Sequence, residues 1–308
     1  MGDDAFDEFS FLPEQAADIG ATTPLPPVRR LAVGLPDGRT LSALRFGDAP
    51  PQVTLLHGAG LNARTWDTTV LALGLPALAI DLPGHGDSSW REDADYSPHT
   101  LAPDIVRALE EWTEGPQVLV GHSLGGLAAA AVAAAAPALV ARLVIVDITP
   151  GVDPAAGPQQ IRSFFAGPTD WASRDELVER ALSFGLGGTR RAAERGVFLN
   201  SRVRPDGRVE WKHHFARLAA AQANGELPEG RNDALAALLS DAGWSDLRSL
   251  ALPITLVRGD SGYVTPADLA EFSRRLPAAS IVTLPAHHNV HEEIPVAFAD
   301  ALRRIAAG

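Results

Sequence analysis

The amino-acid sequence predicts an α/β protein: a mostly parallel central sheet flanked by helices, with a helical segment inserted late in the chain. Two patterns predict it. Short apolar runs bounded by Gly, Pro and Asp alternate with segments of helical spacing over residues 28–148 and again over 251–308. This is β-α-β alternation, and it implies strands covered on both faces. Between these two blocks, residues 149–250 carry helical spacing and Gly-rich breaks but no clear strand.

Residues 1–27 mix acidic side chains with "TTPLPP", the composition of a loosely held lead-in rather than core. "VRRLAVGLPDGRTLSALRFG" then reads as a hairpin turning at Pro36-Asp37-Gly38, and "QVTLLHG" and "PALAID" read as buried strands. "LAPDIVRALEEW" has helical spacing, "QVLVGHS" is a strand, residues 124–136 form a helix stopped before Pro137, and "ARLVIVDI" is a further strand. The insertion contributes "RDELVERALSF" and "RNDALAALLSDAGW" as helices, with "GLGG" at 185–188 as a loop. Alternation resumes with "LPITLVRGD", "ADLAEFSRRL", "SIVTLP" and a closing helix, "PVAFADALRRIAA". The expected organisation is therefore a lead-in (1–27), a core built from 28–148 and 251–308, and an insertion (149–250).

Composition removes several functional classes. A net charge of −12 with no basic run repels phosphate backbones and anionic membrane surfaces, so nucleic acid is not an expected partner. The chain has no cysteine, which excludes disulfides, thiolate metal sites and cysteine nucleophiles. Residues 120–141, "VGHSLGGLAAAAVAAAAPALVA", contain no charge and are long enough to span a bilayer. Gly121, Gly125, Gly126 and Pro137 interrupt the stretch, however, and alanine adds little to insertion, so a buried strand and helix is the better reading. The N-terminal "MGDDAFDEFS" is acidic where a signal peptide needs positive charge, and Phe6 stands where a myristoylation signal wants Ser or Thr. A cytoplasmic location is the expectation.

The chemistry begins at Gly121-His122-Ser123-Leu124-Gly125, a G-x-S-x-G set between a predicted strand and a predicted helix. A serine on that sharp turn takes a strained backbone conformation, and it sits at a helix N-terminus where N–H groups and the helix dipole favour a developing oxyanion. An N-capping serine in a tight turn would account for Ser123 alone. It would not account for three further segments: "LLHGAG" (55–60), "DLPGHGDS" (81–88) and "HHNVHEEIP" (287–295).

In these four motifs and their order the chain resembles the α/β-hydrolase superfamily, over most of its length outside residues 1–27 and the insertion. The resemblance implies an α/β-hydrolase fold with a helical cap over the pocket, and a serine hydrolase acting on carboxylic esters of small molecules without metal or organic cofactor. It places the base at His288, seven residues before Pro295, with His287 and His291 as neighbours. It assigns the oxyanion donors to the backbone N–H groups of Ala59 and Leu124, and gives His57, His85 and His122 a shaping rather than a proton-transferring role. The "HHxxH" pattern could also be taken for a metal site, but no third ligand stands at an obvious spacing.

The acid departs from the common pattern. Family members usually carry it three residues after the glycine that ends the penultimate strand; that glycine is Gly259, and the expected place holds Gly262. Asp260 comes one residue after Gly259 and is the alternative acid. In a subset of the family the acid follows the preceding strand, where Asp147 stands 24 residues after Ser123. Ends of adjacent parallel strands open on one edge, so either carboxylate could reach the imidazole; Asp147 is the expected one.

Phe164, Phe165, Trp171, Trp211, Phe215 and Trp244 in the insertion are candidate pocket walls, although aromatics at helical spacing also pack in cores. Neither a G-x-G-x-x-G after a strand nor a G-x-x-x-x-G-K-[ST] occurs, so no nucleotide cofactor is expected. The same triad would also serve a lactonase or a hydrolase of carbon–carbon bonds, and a ligand-binding, receptor-type protein could retain it without turnover. Acyl preference and oligomeric state are not written in the sequence.

Overall fold

A computed structural model describes residues 7–21, 24–151, 167–184, 189–224 and 242–308. In chain order the strands are β1 (Val28–Gly34), β2 (Thr40–Phe46), β3 (Val53–Leu56), β4 (Ala77–Asp81), β5 (Gln117–His122), β6 (Val140–Val146), β7 (Ser201–Val203), β8 (Val209–Trp211), β9 (Ile254–Gly259) and β10 (Ser280–Leu284). Eight of them form one sheet in the order β1-β2-β4-β3-β5-β6-β9-β10. β1 and β2 pair antiparallel across the expected turn, β2 pairs antiparallel with β4, and every later pairing is parallel.

The helices are α1 (Leu12–Asp18), α2 (Asp67–Leu73), α3 (Pro98–Trp112), α4 (Leu124–Ala135), α5 (Arg174–Ser183), α6 (Arg190–Asn200), α7 (Phe215–Ala223), α8 (Ala242–Ser249), α9 (Pro266–Arg275), α10 (Val290–Glu293) and α11 (Pro295–Ala307). On one side of the sheet Leu101, Ile105 and Leu109 of α3, Ala128 and Val132 of α4, Trp244 of α8 and Phe272 of α9 share a core. On the other, Val70 and Leu73 of α2 and Phe298 and Leu302 of α11 pack on Leu55, Val120, Val144 and Val257. The strands in the middle are therefore buried on both faces, as their unbroken apolar runs require.

The alanine-rich stretch is a buried helix. α4 lies between α3 and α8 against β5 and β6, and its residues 124–133 are all buried. A helix that is apolar on every side needs neighbours on every side, and alanine lets them approach closely. Among the described residues no helix is long and apolar enough to cross a membrane.

Two expectations are corrected. Part of the lead-in is ordered core: Leu12 and Ala16 of α1 are buried against Leu71 of α2. Three of its acidic residues are held in ion pairs, Glu8 with Arg30, Glu14 with Arg191 and Arg195, and Asp18 with Arg195. The insertion is also not wholly helical. β7 and β8 form an antiparallel hairpin, Gly207 turns it at φ +82°, and Trp171 bridges to Val209. The "RDELVERALSF" helix is α5. "GLGG" and most of "RNDALAALLSDAGW" lie outside the described residues; from Ala242 onward the latter is α8, packed on α4.

Candidate active site

β5 runs directly into α4 through Ser123, whose φ of 51° and ψ of −121° are strained for a residue with a side chain. The turn is tight enough to require glycine beside it: a Cβ at Gly121 would lie 2.1 Å from the Gly125 carbonyl oxygen, and one at Gly125 would lie 2.4 Å from that of Leu56. The elbow thus abuts the 57–61 loop at the end of β3. Ser123 N–H donates to Val146 O at 3.0 Å, which ties the elbow to the end of β6.

Asp147 follows at once, itself at φ +49° and fully buried. Its Oδ1 accepts from Gly259 N–H at 3.0 Å, and its Oδ2 accepts from Tyr263 N–H at 2.7 Å and faces His288 Nδ1 at 2.8 Å. Because a carboxylate can only accept, Nδ1 carries the proton and Nε2 is left as the basic nitrogen. The Tyr263 ring lies flat on the His288 ring, with centroids 3.6 Å apart and planes 10° apart. Burial, with Asp147 a lesser cause, pushes the Tyr263 phenol up to about 12. Tyr263 was not singled out in the sequence; its one signal is its place next to Gly262.

His122 holds His288 from the other side. Its Nε2–H donates to the His288 carbonyl at 3.1 Å, and its ring lies 4.5 Å from both His288 and His291. Burial keeps His122 neutral, well below the usual imidazole range. The "HHxxH" histidines go to separate partners. His287 is exposed and paired with Glu293, His288 faces Asp147, and His291 is buried with Nε2 at 2.9 Å from Thr65 Oγ1. Asp260, the alternative acid, is exposed and accepts from the Ser261 hydroxyl at 3.0 Å.

Ala59 lies in the 57–61 loop, and Leu124 opens α4 directly after Ser123. His57 Nδ1–H donates to Gly58 O at 2.8 Å while its Nε2 accepts from Leu82 N–H at 2.9 Å. The Gly58 carbonyl shares its peptide plane with Ala59 N–H, so fixing one aims the other. His85 Nε2 accepts from Gly60 N–H at 3.1 Å, and its Nδ1–H donates to Pro83 O. Both rings are neutral; burial pushes His57 down to about 4 and holds His85 well below the usual range.

The aromatic candidates separate. Trp244 sits in the main core against Phe272, a correction to its expected place as a pocket wall, because α8 packs on α4. Trp171 and Trp211 fill the insertion's own core with Leu177, Val197 and Val209. Trp211 also stacks on His213, which lies 6.4 Å from His85. Phe215 is partly buried against His85 and Tyr96, on the side of the 57–61 loop. Phe164 and Phe165 lie outside the described residues.

A parallel sheet with a strained serine between β5 and α4 is the frame of a hydrolase, and residues 55–301 match the alpha/beta hydrolase family. The chain belongs to that family. Esterase Rv0045c of Mycobacterium tuberculosis is 37% identical, the match covering 97% of this chain and 95% of that one. A crystal structure of that esterase superposes with a TM-score of 0.80 at 35% identity, over 99% of each chain. The sn-1-specific diacylglycerol lipase ABHD11 of Mus musculus is 30% identical over 83% of this chain and 81% of its own length.

Proposed function

We propose that this α/β-hydrolase is a serine hydrolase that cleaves carboxylic esters of small molecules through an acyl-enzyme, with Ser123, His288 and Asp147 as its triad. The observation that carries the reading is the Asp147–His288 contact at 2.8 Å beside a serine held at positive φ. The esterase and lipase relatives support ester bonds as the target.

In the first half-reaction His288 Nε2 takes the hydroxyl proton as Ser123 Oγ bonds to the ester carbonyl carbon. Asp147 keeps the tautomer and stabilises the imidazolium that forms. The carbonyl oxygen becomes an oxyanion that accepts from the N–H groups of Ala59 and Leu124. Collapse breaks the carbon–oxygen bond to the alcohol, which leaves with the proton from His288. Water then attacks the acyl-enzyme, again giving its proton to Nε2, and the acid departs as Oγ regains a proton. Residues 149–250 act as the cap over the pocket, with Phe215 among its walls.

The test is initial-rate hydrolysis of chromogenic esters of increasing acyl length by the wild type and Ser123→Ala. Turnover by the wild type and a loss of about 10⁴-fold or more in the variant are expected. No hydrolysis by the wild type, or equal rates for the two proteins, would overturn the reading.

A further inference from the structure

The 57–61 loop carries glycine on both sides of Ala59, and Gly60 stands at φ +76°. Such a loop has little stiffness of its own, because glycine rotates freely between wells. An oxyanion donor is useful only when fixed before the charge develops, so the loop must be fastened by what surrounds it. His57, the loop's first residue, is anchored at Nε2 by Leu82 N–H and holds the Gly58 carbonyl, and His85 from outside the loop holds the Gly60 N–H. The Gly60 carbonyl is held differently. Asn200, the last residue of α6 in the insertion, donates Nδ2–H to it at 2.8 Å.

The orientation of this amide is dictated by backbone groups. Asn62 Oδ1 accepts from Arg64 N–H at 2.9 Å, so Asn62 Nδ2 faces away and donates to Leu199 O and to Asn200 Oδ1, each at 3.0 Å. Asn200 Nδ2 is then left for the Gly60 carbonyl; flipping either amide would set like groups face to face. The Asn200 backbone carbonyl in turn accepts from Lys212 N–H at 2.8 Å, just past β8. Asn62 is buried and every contact is polar and directional, so the chain of bonds defines one position of the insertion relative to the loop.

We infer that Asn200 is a positioning residue for the oxyanion loop, through which the seating of the insertion sets the aim of the Ala59 N–H. This rests on the assignment of Ala59 as an oxyanion donor. The insertion is then part of the machinery that stabilises the transition state, beyond any role in enclosing substrate. Because Asn200 touches the loop and not the substrate, its loss falls on kcat while KM is spared.

The decisive variant is Asn200→Asp, which keeps the shape and the acceptor for Asn62 but presents an oxygen to the Gly60 carbonyl. Asn200→Ala removes the donor without adding charge. For both, kcat is expected to fall roughly 10- to 100-fold with KM within about threefold, counted per active site by titration with a covalent phosphonate. Affinity for a trifluoromethyl ketone, which forms the tetrahedral adduct, should fall by the same factor as kcat/KM. Hydrogen exchange of residues 57–62 should rise several-fold while that of β5 is unchanged. Wild-type kcat per site in both variants, or unchanged exchange in the loop, overturns the inference. The exchange measurement needs no substrate, so it decides the latch even if ester hydrolysis fails for the wild type.

Discussion

The carboxylate of Asp147 fills the space that a side chain at Gly262 would need: a Cβ there would lie 2.2 Å from Oδ2 and 2.3 Å from Oδ1. Asp147 in this position and a side chain at 262 are therefore mutually exclusive. Gly262→Ala is expected to displace the carboxylate and lower kcat/KM by about tenfold or more. Asp147→Gly opens that space and removes the acid; adding Gly262→Asp should regain at least about tenfold over Asp147→Gly alone. Steady-state kinetics of the three variants checks both statements.

Asp147→Asn retains the volume but can accept from only one side of its amide, whereas the native carboxylate accepts from Gly259, Tyr263 and His288. A loss of about 10³- to 10⁴-fold in kcat/KM is expected, with KM little altered. Asp260→Asn should remain within about twofold of wild type, since its carboxylate is exposed and engaged with Ser261. Equal losses at the two positions would contradict the assignment of the acid.

Stability should fall on mild acidification. Burial pushes His57 down to about 4 and His291 to about 3, and lowers His85, His122, His213 and His214. Between those values and the unfolded pKa near about 6.5, the unfolded chain binds protons that the folded chain refuses, so stability is lost as pH drops through the window. His57 alone accounts for about 2 kcal/mol between pH values of about 7 and 5. Asp67, raised by burial to about 6, and the raised Asp81 and Glu292 act in the opposite sense, three carboxyls against six imidazoles. Urea midpoints measured at the two pH values should differ accordingly, with the lower midpoint at the lower pH.

α1 joins the core to the insertion, and its removal should cost more than an unstructured tail would. Deleting residues 1–20 exposes the surfaces covered by Leu12 and Ala16, worth about 3 kcal/mol of unfolding free energy. Arg195→Ala, which breaks the pairs to Glu14 and Asp18, should cost about 1 kcal/mol or less, because those partners are partly exposed. The Arg195 effect should vanish in about 0.5 M NaCl, whereas the deletion effect persists.

The order of strands and helices in the core was legible because each element is a local pattern: an apolar run, a helical repeat, a glycine at a turn. The elbow was legible for the same reason, since G-x-S-x-G and its flanking strand and helix lie within about twenty residues. The Asp147–His288 contact could be anticipated from strand ends, but the collision that excludes a side chain at Gly262 is a contact between residues 115 apart. What escaped was non-local. α1 has the composition of a tail, and only the arrival of Leu71, Arg191 and Arg195 makes it a helix with a buried face. The β7–β8 hairpin did carry a signal, Pro205-Asp206-Gly207, the same tripeptide that marks the β1–β2 turn, but its strands are three residues long and show no periodicity. Nothing in the sequence links Asn62 to Asn200, 138 positions away.

Ser123 and Asp147 belong to a single β-α-β unit, one at its β5–α4 junction and the other directly after β6, whereas His288 joins them from 141 residues beyond Asp147. During synthesis Ser123 and Asp147 are therefore made close together, and His288 is supplied by a stretch of chain made much later. Loop closure over such a span is slow compared with the neighbouring contacts. Recovery of hydrolysis after dilution from denaturant consequently times the docking of β10 and the C-terminal helices, and it should lag the return of helical signal from α3 and α4.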